Sequence, residues 1–470
     1  MPQSLVTRAG SPVDDDALKA FTAGFDGKLV KPGDPGYEEC RHVFNAMIDR
    51  RPGLIAQPAG TSDVQRCVNF AREQGLLISV NGGGHSVQGY GVCDGGLMVD
   101  LSLMKGIRVD QTAKTAVAEA GVNWGELDTA TQQFGLAVTG GRVPTTGIAG
   151  LTLGSGSGWL ERKLGYTVDN LISADVVTAD GSFRHASESE NADLFWGLRG
   201  GSGNFGIVTR FEYRLHPIGP IVFGGLLAFP RENGGAVLRA YRDFMQNAPN
   251  DVGGGLALMT APPEPFVPEH VQGKPIIGII VLYTGNPDDG ERAFQPILDL
   301  GPVMKMVGPM PYAAVQEILA HGNPPGMQNY WKADMYQELP DAALDALLKA
   351  VANTLSPLTA TFLQPLGGAV HDVPEDSTAM GWRSAKWALH VLGIWPDPSQ
   401  NEANIAWVRD VAAAAKQWAQ PGAYLNYLTD EGDQRIRDSF GANYQRMVEL
   451  KNRFDPGNLF RLNQNIKPAG

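Results

Sequence analysis

Residues Val80–Ser86 read VNGGGHS, and they open a glycine-rich segment that holds seven glycines in the fifteen residues from Gly82 to Gly96. Average usage would place about one glycine there. The apolar run Leu76–Val80 precedes this segment and predicts a strand that ends where the glycines begin. Successive glycine N–H groups approach a ligand closely and form an anion-binding concavity. The loop predicts a phosphate cradle with the imidazole of His85 beside it; a tight turn with a structural histidine is the alternative.

Composition restricts the partners of the chain. Its 470 residues are enough for two or three core-forming units at roughly 150 residues each. Lys and Arg number 38 against 50 Asp and Glu, which gives a net charge of −12 and argues against nucleic acid or an anionic membrane as partner. The three cysteines form no C-x-x-C pair, so we expect neither a disulfide framework nor a metal site.

The N-terminal residues MPQSLVTRAGSPVDDD lack the apolar stretch of a secretory signal, and no run approaches the ~18 apolar residues of a membrane helix. We therefore expect a cytoplasmic protein, with a mature secreted form as the alternative.

Strand and helix patterns alternate over residues 54–122. Ser62 and Gln65 have the spacing of a capping box, which predicts a helix that begins at Ser62 and ends at Gln74-Gly75. One face of that helix carries Val64, Cys67, Val68 and Ala71. Short strands are predicted at Leu97–Ser102, Ile107–Asp110, Thr115–Val122 and Leu136–Thr139.

Two further glycine-rich segments follow the first. Residues 140–165 read GGRVPTTGIAGLTLGSGSGWLERKLG, and residues 193–209 read DLFWGLRGGSGNFGIVT. The second contains G-x-G-x-x-G from Gly201 to Gly206, but the residues after it predict a strand rather than a helix. A dinucleotide fingerprint has to open a helix, so the pattern disfavours a classical nicotinamide site.

The pattern changes near residue 214. Long strands are predicted at Ile221–Phe229, Pro275–Tyr283 and Trp387–Trp395, with helices at Asp341–Asn353 and Glu402–Trp418. The first of these helices has an apolar face of Ala342, Leu344, Leu347, Leu348 and Val351. This region predicts an antiparallel sheet covered by helices. After Pro421 a single helix is predicted over Gln434–Phe454, stopped by Asp455-Pro456-Gly457-Asn458.

The three glycine-rich segments, the sequence YLNY at 424–427 and FGANYQRMVELKNRFDPGNLFRLNQNI at 440–466 together resemble the FAD-linked oxidases of the vanillyl-alcohol oxidase and p-cresol methylhydroxylase superfamily, in the berberine-bridge-enzyme-like branch. The resemblance covers about residues 50 to 468. It implies an α+β fold with a two-part FAD-binding domain, made of residues 1–213 and 421–470. It also implies a central substrate domain over 214–420.

The same resemblance implies the cofactor residues. His85 matches the histidine that bonds covalently to the flavin, and a neutral imidazole is a suitable nucleophile near pH 7. The other residues implied to bind FAD are Asn81, Gly82, Gly83, Gly84, Ser86, Thr145, Thr146, Gly147, Gly150, Gly154, Gly158, Ile207, Val208, Asn463 and Gln464.

Four positions matter because they depart from the family pattern or could be confused with it. Val143 stands where many relatives carry a cysteine that makes a second flavin bond, so the resemblance implies one covalent link, through His85. Cys93 lies elsewhere in the first loop and is expected to be buried and inert. Asn81 replaces a usual arginine. Thr146 occupies the position associated with oxygen access, and threonine has the shape of valine but not its polarity.

The resemblance implies oxidation of an alcohol, a sugar or a related small molecule by hydride transfer to FAD, with oxygen as acceptor and hydrogen peroxide as product. Tyr424 and Tyr427 match the tyrosine pair that removes the substrate proton; Tyr427 is preferred as the base and Tyr424 as its support. A turn could bring the two rings together, whereas a strand would separate them. Candidate substrate contacts are Tyr330, Trp331, Lys332 and His390. The alternatives are a dehydrogenase with another acceptor and a flavin-binding protein without turnover.

Overall fold

The structure is a computed structural model that describes residues 4–429 and 431–469. Over these residues the chain forms eighteen strands: β1 (Lys28–Val30), β2 (Leu54–Gln57), β3 (Ile78–Asn81), β4 (Leu97–Asp100), β5 (Ile107–Asp110), β6 (Thr115–Glu119), β7 (Leu136–Ala137), β8 (Leu171–Thr178), β9 (Phe183–Ser187), β10 (Gly206–Arg214), β11 (His216–Pro217), β12 (Ile221–Pro230), β13 (Val252–Thr260), β14 (Pro275–Tyr283), β15 (Met304–Pro311), β16 (Gln328–Tyr336), β17 (Ala360–Pro365) and β18 (Trp387–Trp395).

The α-helices of the same residues are α1 (Asp15–Ala23), α2 (Tyr37–Arg41), α3 (Thr61–Glu73), α4 (Trp124–Gln132), α5 (Ile148–Leu153), α6 (Glu161–Leu164), α7 (Ala192–Leu198), α8 (Gly234–Asn247), α9 (Gly290–Ala293), α10 (Gln295–Leu298), α11 (Tyr312–Glu317), α12 (Asp341–Ala350), α13 (Ala369–Asp372), α14 (Asn401–Ala414), α15 (Gly432–Phe440) and α16 (Tyr444–Phe454). Among the helices described, none is both long and apolar enough to cross a membrane.

Three larger sheets organise these elements. A four-stranded sheet has the order β1-β2-β4-β3, with β2 and β3 both parallel to β4. A five-stranded antiparallel sheet has the order β5-β6-β10-β8-β9. A seven-stranded antiparallel sheet follows the order β15-β12-β14-β13-β17-β18-β16. The expected α+β fold class, with an antiparallel central sheet, is confirmed.

The two faces of the seven-stranded sheet have different environments. Alternate strand residues such as Leu227, Leu256 and Ile279 pack against α8, α12 and α14 in one buried cluster. Their sequence neighbours, such as Leu226 and Ala257, point to the opposite face, because successive strand residues alternate between faces. Helices α8, α12 and α14 therefore cover one side. Part of the other side packs against Trp159, Leu160 and α11, and the part left uncovered is available to form the wall of a cavity.

The predicted start of α3 is wrong. The helix begins at Thr61 with Gly60 as its N-cap, so Ser62 lies inside the first turn and makes no cap. The carboxylate of Asp63 instead accepts hydrogen bonds from the backbone N–H groups of Asp26, Gly27 and Ala59. The buried carboxylate of Asp63 thus binds three loop N–H groups near the start of the helix, where a capping box was expected.

Two details of the later helices also differ from expectation. In α12 Ala343 is buried and Ala342 is exposed, so the apolar face lies one residue further along. The single helix expected over Gln434–Phe454 is two helices, since Gly441 has φ +54° and ends α15 before α16 begins. A positive φ stops a right-handed helix, and glycine takes it without steric cost. The domain boundaries at 213/214 and 420/421 stay a prediction.

Candidate functional site

The first glycine-rich loop follows directly from β3 and packs against the start of the second one. A Cβ atom added to Gly83 would lie 2.4 Å from the backbone N of Gly147, so a side chain there is excluded by main chain. Gly84 has φ +71°, which favours glycine. The isolated bridge Asn123↔Gly147 continues this pairing of loops. The glycines thus bring two backbone segments into direct contact, and His85 lies at the end of the first.

A cavity of about 550 Å³ lies between these loops and the uncovered face of the seven-stranded sheet. This volume is within the usual range of small-molecule and cofactor sites, roughly 300–1,000 Å³. The residues expected to bind cofactor or substrate that line it are Asn81, Gly82, Gly83, Gly84, His85, Ser86, Thr146, Gly147, Gly150, Ile207, Val208, Trp331, His390, Tyr424, Tyr427, Asn463 and Gln464. Segments from the two ends of the chain therefore meet around one cavity.

Three expected cofactor residues do not line this cavity. A Cβ on Gly154 would lie 2.0 Å from Asn426 Oδ1, and one on Gly158 would lie 2.0 Å from the carbonyl oxygen of Gly140. Both glycines therefore allow close packing within the protein, and their contact with FAD stays a prediction. Thr145 contacts a residue that does line the cavity, because its Oγ1 lies 2.9 Å from Nε2 of His85.

The imidazole of His85 is held from several sides. Its ring stacks on Phe44 with centroids 4.3 Å apart and an interplanar angle of 18°. Nδ1 lies 3.5 Å from Oγ1 of Thr146, at the opposite edge of the ring from Thr145. Burial lowers the pKa of His85 to about 4. The imidazole is therefore neutral at pH 7, the form in which a ring nitrogen can act as a nucleophile.

The two tyrosines of YLNY converge because the chain turns there. Leu425–Tyr427 forms a 3₁₀ turn, and the rings of Tyr424 and Tyr427 meet edge to face with centroids 4.7 Å apart. The hydroxyl oxygen of Tyr424 accepts hydrogen bonds from the backbone N–H groups of Gly156 (2.9 Å) and Ser157 (2.8 Å). Tyr424 is thereby fixed to the second glycine-rich segment.

The hydroxyl of Tyr427 has a charged partner that sequence reasoning missed. Arg142 donates through Nη1 to this oxygen at 2.8 Å, and the hydroxyl of Tyr427 in turn donates to Gln364 Oε1 at 3.4 Å. Burial raises the pKa of Tyr427, and the charge of Arg142 is the largest opposing influence. At this position the family pattern concerns Val143, which lies between Arg142 and Pro144. No local sequence pattern relates Arg142 to Tyr427.

Arg142 is itself anchored to a buried polar cluster. Its Nη2 donates to Ser157 Oγ at 3.0 Å and pairs with Glu161 at 3.4 Å. Gln364 donates to both Ser157 and Glu161. Burial works against the charge of Arg142, but Tyr427 and Glu161 outweigh it and raise the pKa of the guanidinium. Burial raises the pKa of Glu161, which Arg142 partly offsets. The cluster keeps a fixed positive charge beside Tyr427.

Strand alternation separates the four expected substrate contacts into two pairs. Trp331 and His390 face the cavity; their rings meet edge to face at 5.0 Å, and His390 stacks on Tyr427 at 3.9 Å. Tyr330 and Lys332 lie on the opposite face, where Tyr330 accepts from Arg409 and Lys332 pairs with Glu431 at 3.2 Å. The expectation of substrate contact at Tyr330 and Lys332 is corrected by this parity.

Several unpaired acceptor groups in the glycine-rich part of the cavity fit the hydroxyl and N–H groups of a polar cofactor. Asn463 Oδ1, Gln464 Oε1 and Asn81 Oδ1 are buried, and none of them has a hydrogen-bond partner among residues 4–429 and 431–469. Buried polar atoms normally have a hydrogen-bond partner, so these three oxygens are candidates for hydrogen bonds to a ligand. A Cβ on Gly150 would meet nothing within 4 Å. The cradle thus offers both open space and acceptors for ribose or amide groups.

Neither Val143 nor Cys93 offers a second nucleophile besides His85 near this cradle. Val143 lines the cavity. Cys93 is 1% exposed and takes a hydrogen bond from Ser79 at 3.4 Å, and burial raises its pKa to about 11. A buried thiol with a raised pKa is a poor nucleophile.

Comparison with known proteins agrees with this geometry. Residues 52–187 match the family described as FAD binding domain, and residues 423–467 match the family described as berberine and berberine like. An FAD-linked oxidoreductase of Dictyostelium discoideum is 30% identical over 457 residues, covering 96% of this chain and 97% of that protein.

Two crystal structures extend the likeness to the fold. The 6-hydroxy-D-nicotine oxidase of Arthrobacter nicotinovorans is 26% identical with a TM-score of 0.84, covering 95% of this chain and 99% of the other. The carbohydrate oxidase of Microdochium nivale is 26% identical with a TM-score of 0.85, covering 97% and 100%. The resemblance inferred from the motifs is confirmed, and the chain belongs to the berberine-bridge-enzyme-like family of FAD-linked oxidoreductases.

Proposed function

We propose that this protein is an oxidase that converts a small-molecule alcohol to the carbonyl compound, with FAD bound covalently through His85, oxygen as acceptor and hydrogen peroxide as product. The observation that carries the proposal is the buried hydrogen bond between Arg142 and the hydroxyl of Tyr427, at the wall of the cavity. Two relatives of known structure are named oxidases, which supports oxygen as the acceptor.

Tyr427 is the proposed general base. When bound, FAD supplies the hydride acceptor. The phenolate of Tyr427 takes the proton from the substrate hydroxyl as the C–H bond breaks. Burial opposes this phenolate, and Arg142 counters that effect with a positive charge 2.8 Å away. A charge-assisted hydrogen bond of this kind stabilises the ionised partner.

Tyr424 and His390 are proposed to position Tyr427. The oxygen of Tyr424 is already occupied by two backbone N–H donors, and burial raises its pKa, so its ring serves as a fixed edge-to-face contact. His390 stacks on the other side of Tyr427 at 3.9 Å with an interplanar angle of 9°. Burial keeps the pKa of His390 well below its usual value, so a neutral ring packs there.

The glycine-rich part of the cavity is the proposed FAD site. Backbone N–H groups of Gly82–Gly84 are suited to the pyrophosphate. The unpaired side chains of Asn463 and Gln464 are suited to polar groups of the cofactor. Val143 carries no nucleophile, so one covalent link, at His85, is proposed.

The test begins with an aerobic screen of alcohols and sugars for hydrogen peroxide, and the substrate that gives the most peroxide is then used in anaerobic stopped-flow reduction of the flavin. Tyr427→Phe is expected to slow the reduction by at least ~10²-fold, because a general base is lost. Arg142→Met is expected to move the rise of rate with pH to higher pH, since the phenolate loses its counter-charge, and Arg142→Lys to restore part of the shift.

The matched control is Tyr444→Phe, which removes a hydroxyl from α16 outside the cavity and should leave reduction unchanged. An unchanged reduction rate in Tyr427→Phe would show that another group is the base. Flavin reduction without peroxide, but with bleaching of an electron-accepting dye, would identify a dehydrogenase.

A further inference from the structure

We propose that the substrate of this site is an extended, largely apolar alcohol, whose hydrocarbon body lies along the uncovered face of the seven-stranded sheet while its hydroxyl reaches Tyr427. The inference rests on the proposed function in one respect, namely that the substrate hydroxyl reacts at Tyr427. The choice of an apolar body comes from the strand positions that line the cavity.

A continuous row of cavity-lining residues crosses the sheet. The strand registers place one residue of each of six neighbouring strands directly opposite the next, and all six line the cavity: His390, Phe362, Ala257, Gly278, Ala228 and Met304. Neighbouring strands lie ~4.8 Å apart, so five steps span about 24 Å. His390 stacks on Tyr427, and the row therefore starts at the proposed base and leads away from it.

The middle of this row is a floor of small residues between apolar walls. Ala257, Gly278 and Ala228 have little or no side chain. One register step away, Met259 and Ile276 form the wall on one side, and a Cβ on Gly278 would lie 3.3 Å from Met259 Sδ. On the other side Leu226 and Ile280 form the second wall. A narrow groove with a flexible methionine at its wall suits a chain or a flat ring.

Polar groups are scarce along this groove. Among the described residues of the seven-stranded sheet that line the cavity, His390 and Thr260 have polar side chains, and Trp331 has an indole N–H that already donates to Asn329. The loops beside the sheet add Glu264, His321 and Asn323 to the lining. A sugar carries a hydroxyl on most carbons, and a hydroxyl that is buried without a hydrogen-bond partner weakens binding. The groove therefore disfavours a carbohydrate and favours hydrocarbon.

The polar atom at the start of the groove is suited to the substrate oxygen. Nε2 of His390 is buried and has no hydrogen-bond partner in the part of the chain that the structure describes, and the whole residue is 6% exposed. In the loop after β13, Glu264 and Phe266 also line the cavity, and Phe266 is 47% exposed, so the cavity reaches solvent there. One polar atom beside Tyr427 and a long apolar floor on the sheet suit an alcohol whose hydroxyl is at one end of a hydrocarbon body.

Binding of the holoenzyme to 1-butanol, 1-hexanol, 1-octanol and cellobiose, measured by anaerobic calorimetry with flavin absorbance followed in parallel, tests the inference. We expect Kd to fall about fourfold per added methylene, the fold-change equivalent to about 0.8 kcal/mol per buried CH₂, and cellobiose not to bind. A Kd that does not depend on chain length, or tighter binding of cellobiose than of 1-octanol, would overturn it.

Ala257→Phe fills the floor of the groove, and Ala413→Phe places the same side chain on an exposed turn of α14 as the matched control. Ala257→Phe should weaken 1-octanol binding by about tenfold or more and change 1-butanol binding little, since only the longer chain needs the blocked floor. Equal effects on both alcohols would count against the groove. If Ala257→Phe fails to fold, the wild-type series decides alone.

The two readouts separate this inference from the proposed function. Chain-length-dependent binding of alcohols without flavin reduction would support the groove and refute alcohol oxidation. Flavin reduction by cellobiose together with weak alcohol binding would support an oxidase and refute the groove.

Discussion

At the scale of single residues, His85 carries the most direct prediction. Its ring is neutral at pH 7, because burial lowers its pKa to about 4, and Phe44 holds it by stacking. We expect the purified protein to be yellow and the colour to stay with acid-precipitated protein. In His85→Ala the flavin should move to the supernatant, because Val143 and Cys93 offer no substitute bond. Flavin absorbance of pellet and supernatant measures this.

His42 is exposed and lies outside the cavity, so His42→Ala is the matched control and should keep flavin in the pellet. Release of wild-type flavin by acid would refute the covalent link, and retention in His85→Ala would assign the link to another residue.

Single residues also show which parts of the site could be predicted from the sequence. The glycines of the first loop, His85 and the tyrosine pair could be singled out because each belongs to a local pattern. Arg142 could not, since its contact with Tyr427 joins positions 285 residues apart. Tyr330 and Trp331 show a second limit: alternation predicts that neighbours on a strand point in opposite directions, but which one faces the cavity depends on the elements packed against the sheet.

At the scale of elements, α4 and α11 meet through a buried carboxyl group. Asp128 on α4 accepts a hydrogen bond from Gln316 on α11 at 3.0 Å and is 4% exposed. Burial raises the pKa of Asp128 to about 7, against an ordinary value near 4. The folded protein therefore holds a proton that the unfolded chain releases between these two pH values.

This difference predicts a slope of stability with pH. The contribution of protonated Asp128 is complete below about pH 4 and is lost as pH rises to about 7, so the free energy of unfolding should fall by up to ~1.4 kcal/mol per pH unit in that window. Asp128→Asn should remove this part of the slope, as measured by denaturant unfolding at pH 5, 6 and 7. The exposed Asp16→Asn should leave the slope as it is; an unchanged slope in Asp128→Asn would refute the raised pKa.

Elements were predictable where their signals are local. The strands β5, β14 and β18 have the bounds expected from their apolar runs. The break at Gly441 was missed because the residues on both sides favour helix and only the positive φ of Gly441 separates them. The turn that joins Tyr424 to Tyr427 was one of two possibilities, and backbone amides of Gly156 and Ser157 hold the converging one.

At the scale of the whole molecule, Lys451 attaches the C-terminal segment to the third glycine-rich segment and also forms a fully buried ion pair within its own segment. Lys451 on α16 pairs with Asp455 at 2.7 Å, and both side chains are 0% exposed. Lys451 also donates to the carbonyl oxygens of Asn204 and Phe460. Asn204 in turn donates to the carbonyl of Gln464, so the tail that lines the cavity depends on this one ammonium group.

Removal of that ammonium should therefore cost far more than the loss of a surface pair. Lys451→Met leaves the carboxylate of Asp455 buried without its counter-charge, although the backbone N–H groups of Leu459 and Phe460 still donate to it. Breaking a buried pair in this way costs roughly 3–5 kcal/mol. We expect a loss of that size in the free energy of unfolding. Lys19→Met, which removes an exposed pair with Asp16, should cost less than ~1 kcal/mol in the same denaturant titration. Similar losses in the two variants would mean that the tail is held by its apolar contacts, such as Phe460 and Ile466 in the main core, and that the buried pair only accompanies them.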